Sequence, residues 1–489
     1  MTLAERAAAG VRWTSLSMLS VTLLQLLRLV LLARLLEPNL FGLFALLLLV
    51  TGLLGLIAQS GFGEATIATD NTPQAALTTM FWIVCINSVV LYFLLLALCW
   101  LMLQQGVRTD MAQLLPWLGL SLLLVPPAAQ ARALLRRNLQ FRALAQIDVL
   151  AALIGTIVAV ALALQGWGIW SLILGHLLQA GFASCVLLIM AGSRGWLRAP
   201  AFDWPSIQHH SRFGVRMLAS DLVNYFNSRV DVLLIGWLLG TTALGFYTMA
   251  LNLVLQPIAK INPVLTQVAF PVMSRFESGS ARMQRSYLRL VDILGTLNAP
   301  LLIGVMVVAP IAVPLLLGPA WTPVIPVLQI LALYTLLRSV GNAGGSLLLA
   351  SNRPGLALRW NLGLLLVVPV TVATGAWLGA LQGVAWALVL LQFVLLFVWH
   401  SYVLVPLLEV SRFDFLRAAL GPVLIAGLMG VLVYLVAEQL ALGSDAWQLA
   451  VLVVLGAVAY AVLLGLLRRE FVRNTLLVLI PGRIGGQRG

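Results

Sequence analysis

Arginine returns at almost every second gap between long apolar runs, and this alternation constrains the fold more than any other feature of the chain. Each run is about 20 residues long, enough for a helix to cross roughly 30 Å of hydrocarbon. Fourteen runs can be placed in the 489 residues: 12–35, 40–60, 80–104, 112–134, 142–165, 168–191, 213–239, 243–267, 290–312, 323–350, 357–379, 383–406, 417–437 and 447–467. An even number puts both termini on one side. The connections on that side hold Arg6 and Arg12; Arg132, Arg136, Arg137 and Arg142; Arg194, Arg198, Arg212 and Arg216; Arg275, Arg282, Arg285 and Arg289; Arg353 and Arg359; and Arg412 and Arg417. The C-terminal tail adds Arg468, Arg469, Arg473, Arg483 and Arg488, making 23 of the 29 cations against two, Arg34 and Arg108, on the other side. Basic connections are retained in the cytoplasm, so both termini are predicted to be cytoplasmic. A missed or extra helix would scramble the alternation, so the split also checks the span count.

Composition excludes the soluble classes. The chain is 61% hydrophobic and 9% charged, whereas a soluble domain carries about 25% charged residues. The net charge of +13 invites a nucleic-acid reading. Its one-sided placement accounts for it instead, and no nucleic-acid partner is expected. Cys85, Cys99 and Cys185 lie in apolar spans and are not expected to form disulfides. The first apolar run is longer than a signal core and no A-x-A site follows, so a retained transmembrane helix is expected. The outer connections are short; the longest, 312–323, has no room for an extracytoplasmic domain. The connection 192–212 carries Trp196, Phe202 and Trp204 among arginines and reads as an interfacial segment on an anionic leaflet. His209 and His210 have no further ligands nearby in sequence and read as a solvated pair. Most tryptophans, such as Trp13, Trp100, Trp167 and Trp237, sit near span ends as an aromatic belt.

The chain repeats itself. Gly10-Val11-Arg12 returns as Gly214-Val215-Arg216 at an offset of 204; Leu35-Leu36 followed by Leu40–Phe44 returns as Leu238-Leu239 followed by Leu244–Tyr247 at 203. Gln165-Gly166 with Trp170-Ser171-Leu172 returns as Gln382-Gly383 with Trp386-Ala387-Leu388. The expected architecture is an all-α polytopic membrane protein of about fourteen transmembrane helices, with two pseudo-repeated six-helix lobes of parallel topology. The N-lobe is residues 1–196 and the C-lobe 213–408. Residues 197–212 link them, and 409–489 hold the last two spans and the basic tail.

Charged groups in a bilayer cost about 2.5–3.5 kcal/mol each on insertion scales, so they face a cavity or a partner. Four spans carry a polar stripe at helical spacing. Span 1 has Thr14, Ser17, Gln25 and Arg28. Span 7 has Asp221, Asn224, Ser228 and Asp231, with Arg229 at the margin. Span 8 has Asn252, Gln256 and Lys260, with Pro263 and Gln267 below; span 10 has Tyr334, Arg338, Asn342 and Ser346. Each stripe carries one cation. One reading has the stripes lining a hydrated cavity, the cations meeting an anionic group such as phosphate and the amides, hydroxyls and Tyr334 meeting sugar hydroxyls. The other has Arg28 and Arg229 pairing with Asp231 and Asp221 to hold helices together. By the repeat, Arg28 maps close to Asp231, and an ion pair there would close one gate. Asp148, Glu64 and Asp292 are candidate proton or cation carriers; the solvated reading is preferred for Glu64 and Asp292, near the cytoplasmic interface. The glycines of Gly341–Gly345 read as close helix packing. No Walker A loop, HExxH or nucleophile–base pair occurs, so no enzymatic activity, cofactor or metal is expected.

An ordered series of segments carries a family resemblance. It runs through Ala33–Pro38 with Phe41–Phe44, Ser60–Gly63, Leu135–Phe141, Gly168–Leu172, Arg212–Gly214, Asp231–Gly236, Leu244–Tyr247 and Phe270-Pro271. In these the chain resembles the polysaccharide-transporter branch of the multidrug/oligosaccharidyl-lipid/polysaccharide exporter superfamily, the lipid-linked oligosaccharide flippases of lipopolysaccharide biosynthesis. The resemblance implies transfer of an undecaprenyl-pyrophosphate-linked repeat unit to the periplasmic leaflet of a bacterial inner membrane, for O-antigen, exopolysaccharide or capsule assembly. It implies a V-shaped cavity between two lobes, coupling to H+, Na+ or the membrane potential, and polymerase and chain-length machinery as partners. It also implies cations against the pyrophosphate, a description that Arg28, Arg229, Lys260 and Arg338 match by type and location. A multidrug exporter of the same superfamily would favour an acidic, aromatic cavity instead. A multispan glycan polymerase or ligase would need a long periplasmic loop, and a structural scaffold would not need four polar stripes.

Overall fold

In the computed structural model, residues 3–61, 74–195, 204–277, 279–351, 353–439 and 444–469 are described. Glu64, Asp70, Trp196, Phe202 and most of the basic tail lie outside them, as do the side chains of His209, His210, Lys260 and Gln267. The described residues are helical throughout, without a strand: α1 (Leu3–Leu35), α2 (Pro38–Gln59), α3 (Gln74–Gln104), α4 (Thr109–Gly119), α5 (Ser121–Arg137), α6 (Phe141–Leu164), α7 (Ile169–Ser193), α8 (Trp204–Leu238) and α9 (Gly240–Met273). They continue with α10 (Ala281–Leu317), α11 (Val324–Gly341), α12 (Ala343–Ala350), α13 (Pro354–Trp399), α14 (Val405–Leu408), α15 (Arg412–Gln439) and α16 (Asp445–Leu467). Among the described residues, eleven stretches are long and apolar enough to cross a membrane. One of these, Gly355–Leu408, contains two of the expected spans, because Gly379 and Ala380 leave helical geometry inside α13. The other two expected spans fall on α8 and α9.

The helix boundaries follow local chemistry. Pro38 opens α2, where its missing N–H costs nothing. Ser60 closes α2 in the left-handed region, its N–H returning to Ile57 O. The expected fourth span is divided at Leu120 into α4, which contains Pro116, and α5, which contains Pro126-Pro127. Ser280 and Ser444 cap α10 and α16 by accepting from Met283 N and Trp447 N.

The chain divides into two compact units, 1–248 with 361–373, and 249–360 with 374–489. In the first, α6 and α7 approach through small residues. A Cβ on Gly155 would lie 2.6 Å from Gln179 Cβ, and one on Gly175 would lie 2.6 Å from Ala159 Cβ. Lipid tails are as apolar as leucine, so close backbone contact rather than hydrophobic burial holds such pairs. Within the same unit α2 runs antiparallel along α8 and crosses the start of α9. Pro38 O lies against Gly245, Leu46 against Gly236, and Gly61 against Gly214 O. Midway, Tyr225 Oη donates to Leu49 O at 2.6 Å and sits over Gly52. The two arginines assigned to the outer side both serve helix C-termini. Arg34 is in the last turn of α1, and Arg108 Nη2 donates to Gly236 O in the last turn of α8. Those carbonyls and the helix dipole favour a cation there.

In the second unit α10 is flanked by α15 and α16. Gly295 packs on Pro422 and Gly430 on Ile303, while Tyr460 Oη donates to Thr296 O at 2.7 Å. An aromatic cluster closes one end: Trp399 Nε1 donates to the buried Tyr287 Oη at 3.2 Å, and Trp360 meets Trp399 edge-on at 5.0 Å. A Cβ on Gly344 would collide with the Trp399 ring, which bears out close packing at that glycine.

Candidate functional site

The polar stripes fall into three groups. The first surrounds Arg28. Its guanidinium is partly buried against α7, where Nη1 donates to Gln179 Oε1 at 3.0 Å and Nη2 lies beside Gly175. Gly155, Ala159 and Gly175 clear the space. His176, one turn before Gln179, meets the edge of Phe44 at 6.1 Å between ring centroids. Gln25 lies half-buried one turn earlier on α1. Ser17, deeper on the stripe, donates to Ala145 O. Arg28 forms no ion pair among the described residues. Its charge meets a neutral amide, so the electrostatic cost of placing a cation in this helix is not offset by a carboxylate.

The second group is on α8. Asp231 accepts from Tyr247 Oη at 2.6 Å through Oδ2 and from its own chain at Val232 N through Oδ1. The Arg28–Asp231 pair expected from the repeat is therefore not formed: Gln179 engages the guanidinium, and Tyr247 and a backbone N–H engage the carboxylate. Asn224, Ser228 and Arg229 are exposed along α8 and Asp221 is half-buried. Ser228 Oγ is spent on Tyr225 O.

The third group is a cavity of about 440 Å³ in the second unit, between α9 and α11. Arg338 and Asn342 line it from α11, with Thr335 and Ser339 beside them. Arg338 Nη1 donates to Tyr334 Oη at 3.3 Å and its guanidinium lies 5.9 Å from the Tyr334 ring centroid. From α9 the lining residues are Leu255, Ile258, Ala259, Asn262, Pro263 and Thr266, without Asn252 and Gln256. Asn252 is exposed, and Gln256 is half-buried with Oε1 lacking a partner. Among the described residues of the sequence stripe on α9, Pro263 lines the cavity, and Asn252 and Gln256 do not. Asn262 was overlooked because a lone amide beside a proline breaks no periodicity. Its partner Asn298 on α10 sits 36 residues away, and only the fold joins them.

Two of the carboxylates considered as ion carriers are engaged elsewhere. Asp148 forms a two-pronged pair with Arg132 at 2.7 and 3.0 Å. Asp292 is not solvated as expected; it accepts from Arg468 at 2.5 Å, the side chains being 17% and 21% exposed. Glu64 is outside the described residues. No group of three or more metal-ligating side chains occurs among those described.

The profile of a family described as "Polysaccharide biosynthesis protein" matches residues 31–326. The lipopolysaccharide biosynthesis protein WzxC of Escherichia coli (strain K12) is 29% identical over 413 residues, 84% of this chain and 83% of that one. The teichuronic acid biosynthesis protein TuaB of Bacillus subtilis (strain 168) is 28% identical over 464 residues, 94% of this chain and 95% of that one. Among solved structures, the lipid II flippase MurJ in an inward closed conformation superposes with a TM-score of 0.75 at 13% identity, covering 94% of this chain and 99% of that one. An inward-facing multidrug resistance transporter of the MATE family gives 0.56 at 15% identity, covering 84% and 94%. At these identities the structural likeness establishes the fold, an all-α transporter fold shared with MurJ and MATE proteins.

Proposed function

The chain belongs to the polysaccharide biosynthesis protein family, and from that premise we propose that it flips a lipid-linked oligosaccharide repeat unit across the bacterial inner membrane for surface polysaccharide assembly. The observation that carries the reading is Arg28. A membrane-embedded guanidinium held by the neutral Gln179 keeps an uncompensated positive charge, and an anionic substrate group supplies the missing compensation. The pyrophosphate linking a polyprenyl lipid to its glycan is such a group. Arg229, exposed on α8, and Arg338, in the cavity of the second unit, are further points of contact. In this reading the repeat-related lobes 1–196 and 213–408 rock about the substrate in alternating access, driven by an ion gradient or the membrane potential. Spans 13 and 14 lie outside the repeat. Both termini are cytoplasmic, and a polysaccharide polymerase receives the product.

A deletion strain tests this. Lipid-linked repeat units should accumulate in the cytoplasmic leaflet, and the gene supplied on a plasmid should restore surface polysaccharide. Normal surface polysaccharide in a deletion strain without a second flippase would refute the proposal.

A further inference from the structure

Helix α10 is longer than a membrane crossing requires. Its 37 residues span about 55 Å at 1.5 Å per residue, against roughly 30 Å of hydrocarbon. Its apolar run occupies 290–312. Residues 281–289 therefore extend about 13 Å past the hydrocarbon, through the headgroup layer. Within them Arg282, Arg285 and Arg289 recur at spacings of three and four, and the same stripe continues through Asp292 to Thr296. All three arginines are exposed. Met283, Tyr287, Leu290 and Leu294, on the opposite face, are buried.

Further along, the stripe is covered by α16. Tyr460 Oη donates to Thr296 O at 2.7 Å, and Arg468, just after α16, binds Asp292. Gly421 on α15 leaves room for that arginine: a Cβ there would lie 3.3 Å from Arg468 Nη2. Helix α16 ends at Leu467, so its cover stops at the level of Asp292 and leaves the three arginines beyond it. They form no ion pair among the described residues. Arg285 Nε donates to Ala281 O of its own helix. At the same end of the unit, the exposed Arg275, Arg412 and Arg417 balance the exposed Glu277, Glu409 and Asp414. The stripe is thus an excess of positive charge. Like charges one turn apart on a helix repel, so an anionic occupant stabilises this face.

Two occupants have the wrong sign. Residues 470–489 carry Arg473, Arg483 and Arg488 against Glu470. A second copy of the chain would bring the same basic face in a twofold contact. The phosphate of an anionic phospholipid has the right sign and lies in the layer that residues 281–289 cross, and guanidinium groups bind phosphate in bidentate geometry.

We propose that the Arg282–Arg285–Arg289 face of α10, beside the end of α16, is a binding site for the headgroup phosphate of an anionic glycerophospholipid. The site is independent of what the chain transports. A lipid held there neutralises the stripe where the last span docks, so its binding stabilises the protein.

The test uses the full-length protein purified in detergent and stripped of lipid. Phosphatidylglycerol and cardiolipin should raise its melting temperature and stay bound in native mass spectrometry. Phosphatidylcholine, which has a phosphate but no net charge, should do neither. Phosphatidylglycerol with a photoreactive headgroup should label residues 281–292. Arg282→Gln, Arg285→Gln and Arg289→Gln combined should weaken phosphatidylglycerol at least about tenfold, because each cation near an anionic lipid contributes about fivefold. The same three changed to Lys should weaken it less. Arg136→Gln, Arg137→Gln and Arg142→Gln combined remove equal charge from the α5–α6 turn and should leave the labelling of 281–292 unchanged. Equal binding of phosphatidylcholine, labelling that avoids 281–292, or equal affinity of the Gln variant and the parent would each overturn the proposal. Displacement of the label by undecaprenyl pyrophosphate but not by cardiolipin would overturn it too and give the face to a transported lipid. If the Gln variant fails to enter the membrane, labelling of the parent protein decides. The deletion strain tests the flippase reading separately, so either can fail without the other.

Discussion

Gly42 of α2 and Gly245 of α9 meet backbone to backbone: a Cβ on Gly42 would lie 2.8 Å from Gly245 N, and one on Gly245 would lie 3.4 Å from Gly42 N. The contact is reciprocal. Gly42 also abuts Thr241 O, and Gly245 abuts Pro38 O. Pro38 with Thr241 and Gly42 with Gly245 are both separated by 203 residues, the offset of the sequence repeat. Equivalent patches therefore face each other, as at a twofold interface. Any β-carbon here strikes a carbonyl, which cannot rotate away as a side chain can.

Gly42→Leu and Gly245→Leu should each weaken this crossing. Overpacking a well-packed contact costs about 1–3 kcal/mol, equivalent to a population shift of roughly 5- to 150-fold. Because the positions are equivalent, the two variants should lose surface polysaccharide to a similar degree while remaining in the membrane at normal levels. The readout is complementation of a deletion strain beside quantified membrane expression. Full complementation by both variants would show that the crossing plays no part in transport.

Arg28→Gln should abolish complementation, because it removes the charge that Gln179 leaves uncompensated. Arg28→Lys keeps the charge but loses the planar fork, and should retain partial activity. Gln179→Leu removes a positioning partner while sparing the charge, so its loss should be smaller than that of Arg28→Gln. The measurement is polysaccharide yield per unit of membrane protein. Equal yields for Arg28→Gln and the parent would remove Arg28 from the mechanism.

Helix number and polar stripes were legible in the sequence because both depend on local periodicity. The kink at Gly379–Ala380 falls at a glycine, also a local signal. Partners were not legible. Arg28 with Gln179 spans 151 residues and Asp292 with Arg468 spans 176, and such pairings depend on which helices neighbour one another. The repeat placed Arg28 near Asp231 by analogy, but Tyr247, only 16 residues from Asp231, offered the carboxylate a nearer partner. On α9 the four-residue recurrence drew attention to Asn252 and Gln256, whereas Asn262 and Thr266, off that period, are the polar residues of α9 that line the cavity.

Orientation is open to a direct test. The sequence reading assigns 23 cations to one side, and Arg34 and Arg108 each serve a helix C-terminus, so the positive-inside rule predicts that both termini are cytoplasmic. A green fluorescent protein fused to the C-terminus should fluoresce, and alkaline phosphatase fused after Gly166 should be active. A dark C-terminal fusion together with an inactive phosphatase would reverse the topology.

Asp292 and Arg468 distinguish a structural ion pair from an ion-coupling site. Arg468 follows α16 and Asp292 lies on α10, and Tyr460 on α16 also bonds α10 at Thr296 O. The pair therefore ties the last span to the unit. Asp292→Asn leaves Arg468 facing a neutral amide, and Arg468→Gln leaves the carboxylate without its cation. Either change should cost about 1.5–3 kcal/mol, the range for hydrogen bonds to charged groups. Both melting temperatures in detergent should fall. The double variant should lose less than the two singles combined, because the same interaction is removed twice. Transport at a permissive temperature should survive in all three. Additive losses in melting temperature would show that the two side chains are not coupled. Abolished transport in Asp292→Asn at unchanged melting temperature would make Asp292 an ion-carrying group instead.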